Sequence, residues 1–321
     1  MRLLLNRLLQ GIVLLVGVAL LNFMIFQLSP GDASNLYFGT KTKIENLRQL
    51  QKQRGVDKPW YEQFVAWSIN VFHGDLGHSW AKHRPVKDVI NEAIPATLLL
   101  TGVSLFIMIL FGCLWGIAGG ILADEVWGKL SDYASLIVYA TPVFLLALLC
   151  IDVFCLRLQW LPASGIQSLF ASELTGFQFI SDKLKHLILP VLILGVTGAA
   201  AVARYVHAHM RDILRRDFIT FAKAKGLSVN RVYFKHAFKN ALLPVVTLFG
   251  IYFPFLISGA FIVEVIFSWP GIGQLTYEAV LAKDYPVLIM MNFIAAIMVI
   301  AGNLISDIIY RLIDPRIRIN D

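Results

Sequence analysis

The sequence holds few polar residues whose type and spacing could support chemistry. His73, His78 and His83 recur every five residues and raise the question of a metal site. A spacing of five does not bring helical ligands to one face, and no carboxylate pair completes a ligand shell. The sequence also shows no Ser/His/Asp set, no H-E-x-x-H motif and no paired carboxylates on adjacent turns. These patterns predict neither an enzyme nor a metal-binding protein.

A phosphate-binding loop is also missing from the sequence. The stretch WGKLS at 127–131 lacks the upstream glycine and the hydroxyl residue of the G-x-x-x-x-G-K-[ST] motif. We therefore expect the chain to bind no nucleotide and no other cofactor.

The remaining candidates are polar side chains inside long apolar runs. Asp152 falls in one run, while Asn303 and Asp307 lie four residues apart in another. An ionisable group in a membrane span is a functional candidate by default, and a cationic substrate is one role for Asp152. Alternatively, Arg157 could neutralise Asp152. Asn303 and Asp307 could equally form structural hydrogen bonds to a neighbouring span.

Composition shows which elements must position these residues. The chain of 321 residues is 57% hydrophobic and only 15% charged, against about 25% charged in soluble domains. Its longest apolar runs cover 8–28, 97–122, 133–157, 186–206, 241–264 and 287–309. Runs of this length predict membrane-spanning helices, so we expect an all-α integral membrane protein with six spans. The alternative of a cleaved signal peptide at the first run is less favoured, because no small-x-small cleavage site follows it.

The distribution of Lys and Arg predicts the orientation of the chain. These residues concentrate near both termini and between the fourth and fifth runs, which places both termini in the cytoplasm. The expected organisation is an N-terminal transmembrane helix at 1–28, an extracytoplasmic helical cap at 29–96, a five-helix core at 97–309 and a cytoplasmic tail at 310–321. A cytoplasmic loop is expected at about 207–240.

The segment 29–96 carries its own local signals. TKIENLRQLQKQRGV at 42–56 and the aromatic-rich stretch 59–72 both favour helices. HGDLGHSW at 73–80 predicts a turn in which Gly74 and Gly77 adopt positive φ.

A second turn is predicted at FSWPGIGQL, residues 267–275, directly after Glu264. Pro270 cannot continue a helix, and Gly271 and Gly273 permit a tight re-entrant turn. Glu264 is a candidate for this outer turn, although a position at the level of the lipid headgroups is an alternative.

The segment 215–246 is strongly basic in an otherwise apolar chain. Gly226 divides it into two short helical stretches at 217–225 and 228–240, with Ser228 as a candidate N-cap. Three interpretations compete: contact with anionic lipid, nucleic-acid binding, and docking to a cytoplasmic protein. Nucleic acid fits poorly, since the segment is tethered between spans and shows no recognition fold.

The residues of this loop resemble those of a known family. Ala222, Gly226 and NALLPVV at 240–246 resemble the cytoplasmic loop of ABC importer permeases, in which a helix–Gly–helix motif forms the coupling helix. The stretch AKAKGLSVNRVYFKHAFKNALLPVV is most similar to the peptide/nickel branch of these permeases. Further matching motifs are GDLGHSW (74–80), RPVKDVI (84–90), PATLLL (95–100), WLPASG (160–165), HLILPVLIL (186–194), VIFSWPGIGQL (265–275), KDYPVL (283–288) and NLISDIIYRLIDPRIR (303–318). The chain departs from the family where Phe221 replaces the usual acidic residue and where ADEVWGKLSD (123–132) lacks arginines.

The resemblance implies a type I ABC importer permease fold and a role as half of a translocation pathway in the bacterial cytoplasmic membrane. The solute would be a peptide or a related small molecule, and nickel chelates, glutathione and polyamines also remain open. The implied partners are a second homologous permease subunit (most simply in a heterodimer), two cytoplasmic ATPase subunits that use ATP and Mg, an extracytoplasmic substrate-binding protein, and the lipid bilayer.

The resemblance also implies roles for individual residues. ATPase coupling would involve Asp217, Phe221, Ala222, Ala224, Gly226 and Leu227. The outer gate or the contact with the binding protein would involve Glu264, Trp269, Pro270, Gly271 and Gly273. Candidates for the pathway are Asp152, Asn303 and Asp307. The competing class is an ion-coupled secondary transporter or a channel subunit, which is less favoured because the spans hold few charges and show no inverted repeat.

Overall fold

The computed structural model describes residues 2–28, 59–228, 231–233, 252 and 260–313. Within these ranges the chain is helical, and the only β-type pairing is an isolated bridge between His78 and Pro85. The helices are α1 (Arg2–Leu28), α2 (Trp60–Phe72), α3 (Val86–Ile121), α4 (Val126–Ala140), α5 (Val143–Cys150), α6 (Phe177–Leu214), α7 (Asp217–Ala224), α8 (Phe261–Ile266), α9 (Ile272–Leu281) and α10 (Tyr285–Ile313). A π-helix over Ile151–Arg157 continues from α5, and a 3₁₀ turn covers Ala171–Glu173. The predicted helix at 42–56, the second half of the basic loop and most of the fifth apolar run lie outside the described residues.

The chain divides into two compact units. The first combines Met1–Ile94 with Leu275–Ile300, and the second combines Pro95–Gln274 with Ala301–Asp321.

Among the described residues, three helices are long and apolar enough to cross a membrane: α3, α6 and the part of α10 over Tyr285–Ile305. In α1, the apolar stretch Leu9–Ile25 is shorter. Each of these four helices contains most of one predicted run, which confirms the position of those runs.

The third predicted run, 133–157, is wrong as a single continuous helix. Helices begin at Val126 and at Val143, and the two segments meet at an angle of 95°. Pro142 causes the break because its ring removes a backbone donor and forces the preceding Thr141 into an extended conformation, with ψ at 124°. The pair therefore forms either one broken span or a re-entrant structure.

A row of glycines brings α3 close to α6 in the second unit. A Cβ atom at these positions would clash with an α6 side chain: Gly112 with Val202, Gly116 with Val206, and Gly120 with Met210. The spacing of four residues puts the three glycines on one face of α3, as in the small-xxx-small pattern of membrane helix pairs.

We expect Gly116→Leu to destabilise the second unit, because a Cβ atom there would already lie 2.6 Å from the Cβ atom of Val206. Overpacking of this kind costs about 1–3 kcal/mol or more. The measurement is the midpoint of thermal unfolding of the purified complex. Gly102→Leu is the matched control, since no atom lies within 4 Å of a Cβ at that position on the same helix. Equal midpoints for the two variants would contradict the role of the glycine row.

Candidate functional site

The turn predicted at 267–275 connects α8 to α9 and is closed by short backbone hydrogen bonds. Trp269 N donates to Glu264 O at 2.8 Å, and Gly271 N donates to Trp269 O at 2.7 Å. The positive φ of the turn falls at Ser268, where φ is 47°, and not at either glycine. The sequence thus predicted the turn correctly, and its positive φ lies at Ser268, a residue that the sequence did not single out.

Glu264 is fully buried beneath this turn, with 0% of its surface exposed. Its Oε2 accepts hydrogen bonds from Gly273 N at 2.6 Å and Gln274 N at 3.3 Å, and its Oε1 accepts one from Thr97 Oγ1 at 2.9 Å. Thr97 Oγ1 in turn accepts a hydrogen bond from Ile272 N at 2.7 Å. Glu264 is therefore not a solvent-facing residue at the headgroup level.

These bonds satisfy the first backbone donors of α9. The initial N–H groups of a helix have no intrahelical acceptor, and the helix dipole favours a negative charge beside them. A helix usually takes its cap from the residue that precedes it. Here Glu264 and Thr97 supply the acceptors from outside α9, so the start of α9 is fixed to both α8 and α3.

The two glycines of the turn are required by close approach. A Cβ atom at Gly273 would lie 2.9 Å from Glu264 Oε2 and 2.7 Å from Phe261 Cα, and one at Gly271 would lie 2.5 Å from the same carboxylate oxygen. Any side chain at these positions would displace the carboxylate from the N-terminus of α9.

A second anchor holds the turn through Trp269. Its side chain is completely buried, packs with Leu100 and Val191, and donates from Nε1 to Ala96 O at 2.8 Å. Gly165 N also donates to Phe267 O at 2.8 Å. Three motifs that are far apart in the sequence, PATLLL, WLPASG and VIFSWPGIGQL, thus meet at one place. We name the group of Thr97, Glu264, Trp269, Gly271 and Gly273 the turn cluster.

A cavity of about 430 Å³ lies beside the turn cluster in the second unit. Residues from α3, α6 and the start of α8 line it, together with Val143 and Tyr252; they include Thr101, Ser104, Met108, Leu194, Thr197 and Val263. Ser104 and Thr197 donate their hydroxyl hydrogens to the carbonyls four residues earlier. The cavity wall is therefore mainly apolar, with hydroxyl oxygens as its polar groups.

The first helix of the basic loop is α7, and it has two distinct faces. Ile219 and Ala222 are buried against the core formed by α3 and α6. Asp217, Phe221 and Ala224 face outward, and 69% of the Phe221 surface is exposed. The predicted helix at 217–225 is confirmed to within one residue. Its exposed residues include the charge of Asp217 and the apolar rings of Phe218 and Phe221.

Gly226 ends this helix in the predicted way. Its φ is 75°, and Leu227 N donates to Ala222 O at 3.3 Å, as in a Schellman C-cap. Among the described residues, no atom lies within 4 Å of a Cβ at Gly226. The backbone conformation, and not the available space, therefore requires glycine.

Two protein-family models match the sequence that carries these motifs. A family model described as "Binding-protein-dependent transport system inner membrane component" matches residues 108–319. The chain belongs to this family. A second model, for the N-terminal part of such membrane components, matches residues 1–101 of the permease. The resemblance of the sequence to importer permeases is thereby confirmed.

Curated relatives match the permease along nearly its whole length. The oligopeptide transport system permease protein AppB of Bacillus subtilis is 38% identical over 316 residues, which cover 97% of this chain and 98% of that protein. The di/tripeptide permease DppB of Pseudomonas aeruginosa is 37% identical, covering 94% of each chain. The glutathione permease GsiC of Escherichia coli K12 is 35% identical, covering 98% and 97%.

One solved structure supports the fold. It shows inward-facing conformations of the MetNI methionine ABC transporter, and the match has a TM-score of 0.53 at 17% identity. It covers 70% of the permease and 96% of the matched chain. At this identity the likeness extends to the architecture alone.

The candidate pathway residues that the structure describes lie at partly or fully exposed positions, which does not favour a role inside a pathway. Asp152 lies in the π-helix, where its Oδ2 is 2.8 Å from Arg157 Nε, and the two side chains are 41% and 73% exposed. Asn303 is exposed on α10, and the side chain of Asp307 is outside the described residues. The geometry matches the alternative in which Arg157 neutralises Asp152.

We expect Asp152→Asn to change uptake by less than about five-fold, because exposed ion pairs contribute only about 0–1 kcal/mol. Initial uptake rates in membrane vesicles provide the measurement, with Arg157→Gln as the partner control. A ten-fold or greater loss for a cationic solute in Asp152→Asn alone would return Asp152 to the pathway.

The sequence did not single out Asp284 as a buried centre of the first unit. Its carboxylate is 2% exposed and accepts hydrogen bonds from Ser79 Oγ, from Trp80 N at 3.0 Å and from Ala81 N at 3.2 Å. Gly74 and Gly77 adopt the predicted positive φ, at 82° and 81°. Asp284 thus joins the motifs GDLGHSW and KDYPVL. The polar residues Ser79 and Asp284 within these two motifs were the signal from which the contact could have been suspected.

Proposed function

We propose that this permease forms half of the translocation pathway for peptides or a related small solute in an ABC importer. The observation that carries the proposal is the cavity of about 430 Å³ directly beside the turn cluster. A passage for a small solute needs a space inside the helices and a structured closure next to it. Val263 lines the cavity, and Glu264, the next residue, organises the turn.

The relatives support the solute class. The curated names refer to oligopeptides, di- and tripeptides, and glutathione, which is itself a peptide. An apolar wall with scattered hydroxyl oxygens suits a solute with amide groups and varied side chains. Within this class, the binding protein would select the individual solute.

The topology of the proposal extends the described helices. Six spans would cross the bacterial cytoplasmic membrane with both termini in the cytoplasm, and residues 29–96 would form the extracytoplasmic cap. The boundaries are those expected from the sequence: 1–28, 29–96, 97–309 and 310–321. In this topology the turn cluster lies near the outer surface and α7 lies in the cytoplasm.

The partners follow from the same topology. A binding protein would deliver the solute at the outer surface, and a second, homologous permease subunit would complete the pathway as a heterodimer. Two ATPase subunits would use ATP and Mg, while the permease itself would bind neither. The loop at 217–240 would dock on the ATPases through Asp217, Phe221, Ala222, Ala224, Gly226 and Leu227. The exposed ring of Phe221 supports this assignment, because a large apolar side chain on an outward face fits a partner groove.

Reconstitution separates the importer from its main competitor. The complete complex is purified, placed in liposomes with ATP on the ATPase side, and supplied with a radiolabelled tripeptide bound to its binding protein. We expect uptake that needs ATP and the binding protein and that persists when the proton gradient is dissipated. Uptake that continues without ATP but stops with the gradient would support an ion-coupled carrier and overturn the proposal.

A further inference from the structure

Helix α2, Trp60–Phe72, lies in the first unit and has none of its 13 residues buried. Its side chains are nevertheless largely apolar and aromatic. The most exposed of them are Tyr61 at 54%, Val65 at 54%, Ile69 at 51% and Phe72 at 91%. A short, apolar and uncovered helix needs an apolar environment.

One side of α2 contacts the protein. Phe64 meets Phe23 of α1 edge to face, with ring centroids 5.6 Å apart, and Trp67 meets Phe293 of α10 at 6.2 Å. Phe64 and Trp67 also stack on each other with their centroids 6.1 Å apart. This protein-facing side holds α2 against α1 near its C-terminal end and against α10 at Phe293, eight residues after the start of that helix.

A second apolar side points elsewhere. Tyr61, Val65, Ile69 and Phe72 follow one another at intervals of four, four and three residues, so they share one face. At about 100° per residue this lipid-facing side, as we name it, lies about 120° around the helix from the protein-facing side. Glu62, Ala66 and Asn70 occupy the remaining third of the surface and form its polar side.

The contact with α1 sets the depth of α2. Phe23 lies five residues before the end of α1 at Leu28, which corresponds to about 8 Å along the helix. The apolar stretch of α1 is Leu9–Ile25, so Phe23 lies two residues, or about 3 Å, before the C-terminal end of that stretch. Phe64 therefore contacts α1 close to the boundary between acyl chains and headgroups. At about 20 Å, α2 is too short to cross the membrane itself.

We propose that α2 is an interfacial helix that lies on the lipid bilayer, with its lipid-facing side in the boundary layer and its polar side toward water. Three separate sides, one for protein, one for lipid and one for water, are what such a position requires. Trp60 and Tyr61 at its start suit the headgroup level, where amphipathic rings concentrate. The inference rests on α1 crossing the membrane, as the proposed function requires.

The test uses the full transporter complex in vesicles of phosphatidylethanolamine and phosphatidylglycerol. The three native cysteines, Cys113, Cys150 and Cys155, are first replaced by alanine, and uptake by this parent is confirmed. A bimane label is then attached to Ile69→Cys or, as the matched control from the polar side, to Ala66→Cys. Fluorescence is read with a nitroxide lipid whose spin label lies near the headgroup, and separately with aqueous iodide.

We expect the nitroxide lipid to quench the Ile69→Cys label by at least about two-fold more than the Ala66→Cys label, and iodide to show the reverse order. Strong iodide quenching at Ile69→Cys would overturn the proposal. So would protection of that label from both quenchers, because another protein segment or subunit would then cover this side of α2.

A label at Val16→Cys separates this inference from the proposed topology. Val16 is 55% exposed in the middle of α1 and should be quenched by lipid with its nitroxide deep in the acyl chains. Quenching at Val16→Cys without quenching at Ile69→Cys would overturn the interfacial position of α2 and leave the membrane span of α1 in place. If the deep nitroxide lipid does not quench the Val16→Cys label, α1 does not span the membrane, and both proposals lose their basis.

Discussion

Glu264→Ala is expected to lower the stability of the second unit by about 3–5 kcal/mol and to abolish measurable uptake. The substitution leaves Gly273 N, Gln274 N and Thr97 Oγ1 without their buried acceptor. Each buried donor that loses its partner costs about 1–3 kcal/mol, and the removed carboxylate also leaves a cavity. Thermal unfolding of the purified complex and initial uptake rates measure the two effects.

Two controls identify the turn cluster as the cause. Thr97→Val removes the donor to Glu264 and the acceptor of Ile272 N with little change of shape, and Trp269→Phe removes the indole donor to Ala96 O together with part of the buried ring. Each should cost less than Glu264→Ala. Because Thr97 and Glu264 share a hydrogen bond, Thr97→Val combined with Glu264→Ala should be less than additive. A Glu264→Ala complex with an unchanged unfolding midpoint would refute the capping role.

Gly226→Val is expected to uncouple ATP hydrolysis from transport, with uptake reduced by more than about ten-fold. Gly226 adopts a φ of 75°, and a β-branched residue in this region is strained by about 1–3 kcal/mol. The chain would relieve the strain by rotating the backbone after α7, which changes the direction in which the proposed docking loop leaves the helix. ATPase activity and uptake in the same proteoliposomes measure the coupling ratio.

The open space around Gly226 provides a decisive comparison. Asparagine tolerates the left-handed conformation, and no atom of the described residues lies within 4 Å of a Cβ here, so Gly226→Asn should retain most of the uptake. Gly102→Val, at a glycine with similar space but no positive φ, controls for added bulk. If Gly226→Val and Gly226→Asn are equally impaired, the conformational explanation fails.

The sequence predicted features that depend on neighbouring residues. The periodicity of 59–72 gave α2 almost to the residue, Gly74 and Gly77 have the expected positive φ, and α7 ends just before Gly226 as expected. In each case, a few adjacent residues determine the local backbone. The family resemblance then placed these elements in a known architecture.

The sequence could not predict partners that are distant along the chain. Glu264 and Thr97 are 167 residues apart, and Asp284 and Ser79 are 205 residues apart. A pattern within one segment shows that a carboxylate is unusual, but it does not show which donors surround it. Both acids are buried by contacts between segments that are distant in the sequence, so only the folded structure shows their burial.

Two other features were readable in principle. The glycines at 112, 116 and 120 follow the small-xxx-small pattern, and their close contacts with α6 explain why this face tolerates no side chain. The Thr-Pro pair at 141–142 is a standard helix-ending signal, yet the surrounding hydropathy concealed it. Hydropathy reports how long an apolar run is and gives no information on whether it is straight.

The bend at Pro142 also bears on the lifetime of the subunit in the cell. The last carbonyls of a helix lack intrahelical donors, and in lipid each unsatisfied group costs several kcal/mol. In the proposed six-span topology the end of α4 lies within the membrane, so it must meet water or another protein surface; Pro142 is exposed in the isolated chain. A subunit made without its partners would hold this helix end in lipid, and we expect membrane proteases to remove it faster. Pulse-chase labelling with and without co-expressed partners would reveal the difference, so the bend makes the survival of the chain depend on its assembly.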